Sequence, residues 1–197
     1  MTEAFIRQLI EAVSTQVVAA AEELTTLDRQ IGDGDHGSNM KLAAQTVLAQ
    51  VDRIAVKPLP EALKSIGHIV MMKVGGASGP LYGTLFITLG KGLADDPGAI
   101  ASSFEAAVSA VKRLGKSDIG CKTMLDVLVP VQQVLSAGGA DLPARLKRGA
   151  ADGAASTVPM RATRGRASFL GEPSCGHMDP GARSSQIILA AVCDAVA

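Results

Sequence analysis

Apolar residues recur through most of the chain at intervals of three and four, the spacing of one face of a helix. The first run is Phe5, Ile6, Leu9, Ile10, Val13, Val17, Ala21 and Leu24. It predicts a helix over about Thr2–Thr25, with the Thr2 hydroxyl placed to cap it. Seven more helices follow by the same pattern. They cover about Ser38–Val51, about Pro60–Lys73, the stretch after Pro80 to about Gly92, about Ala99–Leu114, about Thr123–Ala137, Asp141 to about Thr157, and Asp179 to the end. Pro60 and Pro143 stand in first turns, where proline is tolerated, whereas Pro130 falls inside a helix and is expected to kink it. Ile66–Val74 is the nearest thing to a strand, but its flanks read as helix. Val158–His177 is a long irregular connection.

Helices joined by mostly short connections favour an up-and-down antiparallel bundle. In such a bundle the N-termini of the second, fourth, sixth and eighth helices share one end. The segments leading into those four are Gly32–Gly37, Gly75–Pro80, Gly115–Lys122 and Gly176–Gly181, each with two or three glycines. Function is expected at that end.

Composition narrows the class. The 197 residues suit one domain with a sizeable core. No Trp, one Tyr and four Phe leave a core of small and aliphatic side chains, which suits close-packed helices. Nineteen acidic residues balance nineteen basic ones, which gives no bulk charge for nucleic acid or a membrane surface. Cys121, Cys175 and Cys193 are odd in number and far apart, which argues against a disulfide framework and a zinc site. No stretch reaches transmembrane length without charge or glycine, and the N-terminus lacks a basic segment followed by an apolar run. A soluble, reduced, cytoplasmic protein is expected.

The densest chemistry is in Leu27–Met40, where Asp28, Asp33 and Asp35 lie among Gly32, Gly34 and Gly37. Carboxylates so close are tolerable if solvated or bridged by a hard cation. Magnesium shares its shell between carboxylates and substrate phosphates. Helix N-termini present free amides and the positive end of a dipole, so several converging on one point suit a di- or triphosphate. There is no Walker A motif, and the loop lacks the twelfth-position Glu of an EF-hand. An Asp-Gly-Asp alone is equally a surface turn. Gly75–Pro80 alone is equally a helix break, and His36, His68 and His177 are each compatible with structural roles. Arg161, Arg164 and Arg166 lie in the long connection, where lids and partner contacts concentrate. Cys121 opens a helix, yet an inert thiol suffices there.

Several stretches together carry a family resemblance. They are Leu27-Asp-x2-Ile-Gly-Asp-Gly-Asp-His-Gly-x-Asn-Met40, Gly75-Gly-Ala-Ser-Gly-Pro-Leu-Tyr-Gly-Thr84, Lys122-Thr-Met-Leu-Asp126, Gly165-Arg-Ala-Ser-Phe-Leu-Gly-Glu172 and Gly176-His-x-Asp-Pro-Gly181. In this order, and over essentially the whole length, the chain resembles the nucleotide-binding L subunit of dihydroxyacetone kinase. The resemblance implies an all-α barrel of eight antiparallel helices, a single domain over 1–197, with nucleotide at one end. It implies that Asp28, Asp33 and Asp35 hold two magnesium ions, and that His36, Gly37, Ser38, Asn39, Ala77 and Ser78 contact the phosphates of ADP or ATP. Gly115 and Met124 would line the base and ribose, with Arg166, Asp179, Pro180 and Gly181 completing the pocket.

The same resemblance implies partners: a K subunit holding dihydroxyacetone through a histidine absent from this chain, and a phosphocarrier M subunit that rephosphorylates bound ADP in the phosphotransferase-system form. Related L-type chains act with ATP-dependent kinases of short ketoses such as erythrulose, or dock on a transcription regulator as nucleotide sensors. A homodimer is a further expectation. A magnesium-dependent phosphohydrolase is a competing class, for which only His36 offers itself as a base.

Overall fold

In the computed structural model, which describes residues 1–196, ten α-helices and two 3-10 turns account for the regular structure, with no strand among the described residues. The helices are α1 (Glu3–Ala19), α2 (Ala21–Ile31), α3 (His36–Leu48), α4 (Val51–Ala55), α5 (Leu59–Lys73), α6 (Ser78–Asp95), α7 (Ile100–Gly115), α8 (Leu125–Ala137), α9 (Leu142–Ser156) and α10 (Pro180–Val196). The 3-10 turns, Arg166–Phe169 and Glu172–Ser174, punctuate the long connection between α9 and α10.

The expected count of eight is therefore corrected to ten, for two local reasons. The first expected helix is interrupted at Ala20 and continues to Ile31, beyond Thr25. Thr25 and Thr26 donate their hydroxyls to the carbonyls of Ala21 and Glu22, each four residues back, at 2.9 Å. These bonds lie inside α2, beyond the break, and the backbone bonds from Ala20 to Gln16 and from Leu24 to Ala20 keep the two helices joined. The second expected helix stops at Leu48, and the five residues of α4 form a separate short piece. Thr2 caps α1 as expected, its hydroxyl accepting from the Phe5 amide at 3.3 Å. Asp141 stands before α9 in a left-handed conformation and makes no side-chain cap bond.

Eight of the ten close a ring. α1, α3, α5, α6, α7, α8, α9 and α10 each pack on the next, and α10 returns to α1. α2 carries on from α1 between α3 and α10. The interior holds aliphatic side chains such as Leu24, Leu125, Leu128, Val127 and Val131, all essentially without exposure. Each buried Leu contributes about 1.5–3 kcal/mol relative to solvent. With few aromatics to fill space, the helices must approach closely. A Cβ on Gly67 of α5 would lie 2.9 Å from the Gly83 carbonyl of α6, and a Cβ on Gly83 would lie 3.0 Å from the Gly67 carbonyl. Pro130 cannot donate to the Asp126 carbonyl one turn back. That carbonyl lies against α9, where a Cβ on Gly153 would come within 2.4 Å of it.

A smaller cluster, Ile6, Ile10, Val47, Ile54, Ala55 and Ala62, gathers around α4 and the start of α1, and closes the end of the barrel at which α1 begins. The opposite end, where α2 terminates, carries the site.

Candidate functional site

Asp28 is borne on the last turn of α2, not in the loop where the sequence pattern sets it, because α2 runs on to Ile31. Its side chain is buried, and its Oδ2 accepts the His36 backbone N–H at 3.1 Å. Its Oδ1 lies over Gly32, four residues on, so that a Cβ there would lie 2.1 Å from it. Gly34 then takes φ +75°, a left-handed turn that glycine makes without strain. The chain folds back so that one carboxylate oxygen from each of Asp28, Asp33 and Asp35 lies within 4.8 Å of the others.

These acids line a cleft of about 160 Å³, open to solvent. The other walls are Gly75–Ser78, Lys122–Met124, Arg164–Ala167 and Asp179–Gly181, with Leu81 and Tyr82 below. The glycine-rich segments thus meet at one end, as the antiparallel argument requires. Arg166 reaches over the rim, its guanidinium 2.7 Å from Asp33 Oδ2. Beyond it Phe169 is 90% exposed.

The four helix N-termini at this end are not alike. Before α8 the carboxylate of Asp126 accepts the loop amides of Gly120 at 2.6 Å and Thr123 at 2.7 Å, and within the helix the Leu125 amide is taken by the Thr123 hydroxyl at 3.2 Å. In α10 the carboxylate of Asp179 accepts the Ala182 amide at 2.7 Å. The N-cap residues of α3 and α6 make no side-chain cap bond, although the His36 amide that opens α3 is taken by Asp28. First-turn amides such as those of Ser38 and Gly79 have no carbonyl within their own helix to receive them.

Lys122 is buried with a left-handed backbone, φ +62°. Its ammonium donates to the Thr157 carbonyl at 2.6 Å and to the His177 carbonyl, tying the long connection to the base of α8. Burial lowers its pKa, while Asp179 and Asp126 pull the other way. Burial pushes the Asp179 carboxyl up to about 7, against the Ala182 amide that favours its charged form.

His36 is 6% exposed. Burial lowers its pKa, and the charges of Asp28 and Asp35 offset this only in part. Its Nδ1 lies 3.1 Å from Ser78 Oγ and its Nε2 2.9 Å from Ser184 Oγ. The Tyr82 hydroxyl lies 2.7 Å from both Ser184 Oγ and Ser185 Oγ, and burial raises its pKa to about 12.

Of the residues singled out from sequence, Asp28, Asp33, Asp35, His36, Ala77, Ser78, Met124, Arg166, Asp179, Pro180 and Gly181 line the cleft. Gly37, Ser38, Asn39 and Gly115 do not. Gly37 is buried against α2, where a Cβ would meet the Ala21 carbonyl at 2.0 Å. Ser38 turns its hydroxyl back to the Asp35 carbonyl at 2.8 Å. Asn39 lies beside Gly75, and Gly115 ends α7 next to Leu81. Tyr82 stands within the Gly75–Thr84 stretch but drew no role from sequence, and Ser184 and Ser185 fall in no motif. The available signal was a pair of serines on the inward stripe of an otherwise apolar last helix.

Fold and site together define an all-helical barrel with an all-oxygen acidic trio and two open helix ends at one pole. The donor set suits a hard cation, and the room left by Gly32 for Asp28 Oδ1 keeps that donor free. Comparison with known proteins then identifies the family. A model described as the DAK2 domain matches residues 30–194, and the chain belongs to that family. It is 37% identical over 203 residues to the ADP-binding subunit DhaL of PEP-dependent dihydroxyacetone kinase 2 from Listeria innocua, covering 96% of this chain and 93% of that one. It is 40% identical over 179 residues to the ADP-binding subunit DhaL of the Escherichia coli PEP-dependent dihydroxyacetone kinase, covering 86% and 85%. Among solved structures, the dihydroxyacetone kinase of C. freundii in complex with AMP-PNP and Mg2+ superposes with a TM-score of 0.81 at 26% identity. That match takes in 97% of this chain but 34% of the C. freundii chain, so the present chain spans about a third of that enzyme's length.

Proposed function

We propose that this chain is a single-domain, magnesium-dependent ADP/ATP-binding subunit of a dihydroxyacetone kinase, transferring a phosphoryl group from its bound nucleotide to dihydroxyacetone held on a partner K subunit. In this reading a phosphocarrier M subunit rephosphorylates the nucleotide in place, and the assembly works in the cytoplasm. No helix among the described residues is long and apolar enough to cross a membrane. The observation that carries the reading is the meeting of Asp28, Asp33 and Asp35 with the Gly75–Ser78 and Asp179–Gly181 turns on one cleft. The near full-length likeness to two chains named as ADP-binding subunits supports it.

The residues divide the work. The acidic trio would hold two magnesium ions, with Gly32 giving Asp28 its room. When bound there, magnesium would supply positive charge against the phosphates, which leaves positioning as the protein's main task. The open amides at the starts of α3 and α6, with His36, Ala77 and Ser78, orient the phosphate chain. Met124, with the Asp179–Gly181 turn behind it, forms the wall for ribose and base, and Gly115 stands off that wall beside Leu81. Arg166 at the rim is placed to neutralise charge on the phosphoryl group that leaves.

Titration calorimetry with ADP and magnesium tests this directly. Wild-type protein binds, and Asp33→Ala loses most of the affinity. Folded wild-type protein that takes up no nucleotide, with Asp33→Ala indistinguishable from it, defeats the proposal. A reconstituted assay with K and M subunits then distinguishes a kinase subunit from a sensor, since a sensor yields no sugar phosphate.

A further inference from the structure

We infer that Tyr82 and Ser184 are positioning residues for the phosphate end of the site, acting through the imidazole of His36 on the hydroxyl of Ser78. The inference rests on the proposed nucleotide function and names what keeps that site in register.

The observation is a closed circuit. Ser78 and Tyr82 stand four residues apart on α6, one turn up the same face. Ser78 Oγ meets His36 Nδ1 at the start of α3; His36 Nε2 meets Ser184 Oγ on α10; Ser184 Oγ meets the Tyr82 hydroxyl, which returns the path to α6. The three links measure 3.1, 2.9 and 2.7 Å. They join the starts of the two uncapped helices to α10, whose own first turn is already capped by Asp179.

Protons give this circuit its consequence. A neutral imidazole donates from one nitrogen and accepts at the other, so turning the ring breaks both bonds at once. Ser184 has no exposure and Tyr82 2%, so neither hydroxyl finds water as a substitute partner. The Tyr82 hydroxyl is held in turn by Ser185 Oγ and the Gly181 carbonyl. One tautomer of His36 is therefore locked from behind. Ser78 is the single member of the circuit on the cleft with appreciable exposure, and its hydroxyl rotor is set by the ring it faces. A hydroxyl already oriented loses less freedom when a phosphate oxygen arrives.

The test uses the full chain, with Tyr82→Phe and Ser184→Ala. In ¹⁵N spectra of the nucleotide-free protein, the two ring nitrogens of His36 give the widely separated signals of one fixed tautomer. Both variants draw these signals together, Ser184→Ala the more. Affinity for ADP with magnesium falls about 5- to 10-fold in each. Averaged nitrogens in the wild type, or variants within twofold of wild-type affinity, overturn the inference. Should Ser184→Ala fail to fold, Tyr82→Phe keeps the ring volume and carries both readouts. A wild type that binds no nucleotide refutes the proposed function instead, and the nitrogen signals still decide whether the lock exists.

Discussion

Replacing Lys122 with Met separates the ammonium from everything else the residue does. The thioether chain keeps nearly the same volume, and Met suffers the same strain at φ +62°, so neither packing nor backbone strain enters the difference. What is lost is a charge-assisted donor to two carbonyls, those of Thr157 and His177, in a position with 1% exposure. Leaving buried acceptors without a donor costs about 1–3 kcal/mol each. Lys122 is also the cation facing Asp126 and Asp179, and removing one side of a buried charge set costs about 3–5 kcal/mol as a whole. Taking about 4 kcal/mol as the central figure, and about 2–4 °C per kcal/mol for a chain of this size, the melting temperature falls by roughly 10 °C. Urea titration should give a lower midpoint with an unchanged slope, since the surface exposed on unfolding is the same. The Asp179 carboxyl, having lost the cation that lowers its pKa, should rise further above 7. A loss below about 1 kcal/mol would show that water reaches the two carbonyls, and the account of Lys122 as a buried tie would be wrong.

Other perturbations follow from the same geometry. The Asp179 carboxyl holds its proton to about pH 7 when folded, whereas its ordinary value is near 4, so the folded state binds the extra proton between those values. Its contribution to stability is complete below about pH 4 and is lost as pH rises through 7, by on the order of 2 kcal/mol after allowance for partial exposure. In Asp179→Asn, urea midpoints taken across that window lose this component of their slope. Gly32→Ala sets a methyl 2.1 Å from Asp28 Oδ1, so the carboxylate must swing away; manganese binding followed by paramagnetic resonance drops at least tenfold while the circular dichroism spectrum is unchanged, and a variant with wild-type metal affinity refutes the donor role of Oδ1. Arg166→Ala frees Asp33 Oδ2 from its 2.7 Å partner. Cation binding without nucleotide then tightens about two- to fivefold, as suits a largely exposed pair, while ADP affinity falls; a loss of both would mean that Arg166 only orders the loop.

Periodicity exposed the helices well because a barrel wall shows one face to the core. Six of the eight expected segments, from Pro60 onward, return as single helices with ends shifted by a few residues. The misreadings share a cause. Nothing in Val17–Leu24 breaks the apolar stripe, so the interruption at Ala20 is invisible to it. For the same reason Asp28 was set in a loop. The meeting of four glycine segments at one pole was legible because antiparallel connectivity dictates it. The sequence did not show which of those helix ends stay open. That depends on whether Asp126 and Asp179 turn inward onto neighbouring amides, and on burial that only the folded chain creates. Tyr82 and Ser184 escaped notice because their partners lie 102 residues apart.

The difference among the helix ends gives the site a direction. Each N-terminus carries roughly half a positive charge. Four such ends beside one another would repel, yet the Asp179 carboxylate takes an amide of α10 and Asp126 sets its charge in the first turn of α8. The positive potential that remains belongs to α3 and α6, on the side of Ser78, while the negative potential belongs to the trio at the foot of α2. A phosphate chain is attracted by the first and repelled by the second unless a cation joins it there. On the proposed function, nucleotide and magnesium must therefore enter as a pair. The terminal phosphate would then lie toward the rim where Arg166 and Asp33 meet, since the Lys122 ammonium at another wall is already engaged by the Thr157 and His177 carbonyls. On the same proposal, an acceptor brought by another protein would meet the phosphoryl group at that rim, near the exposed ring of Phe169.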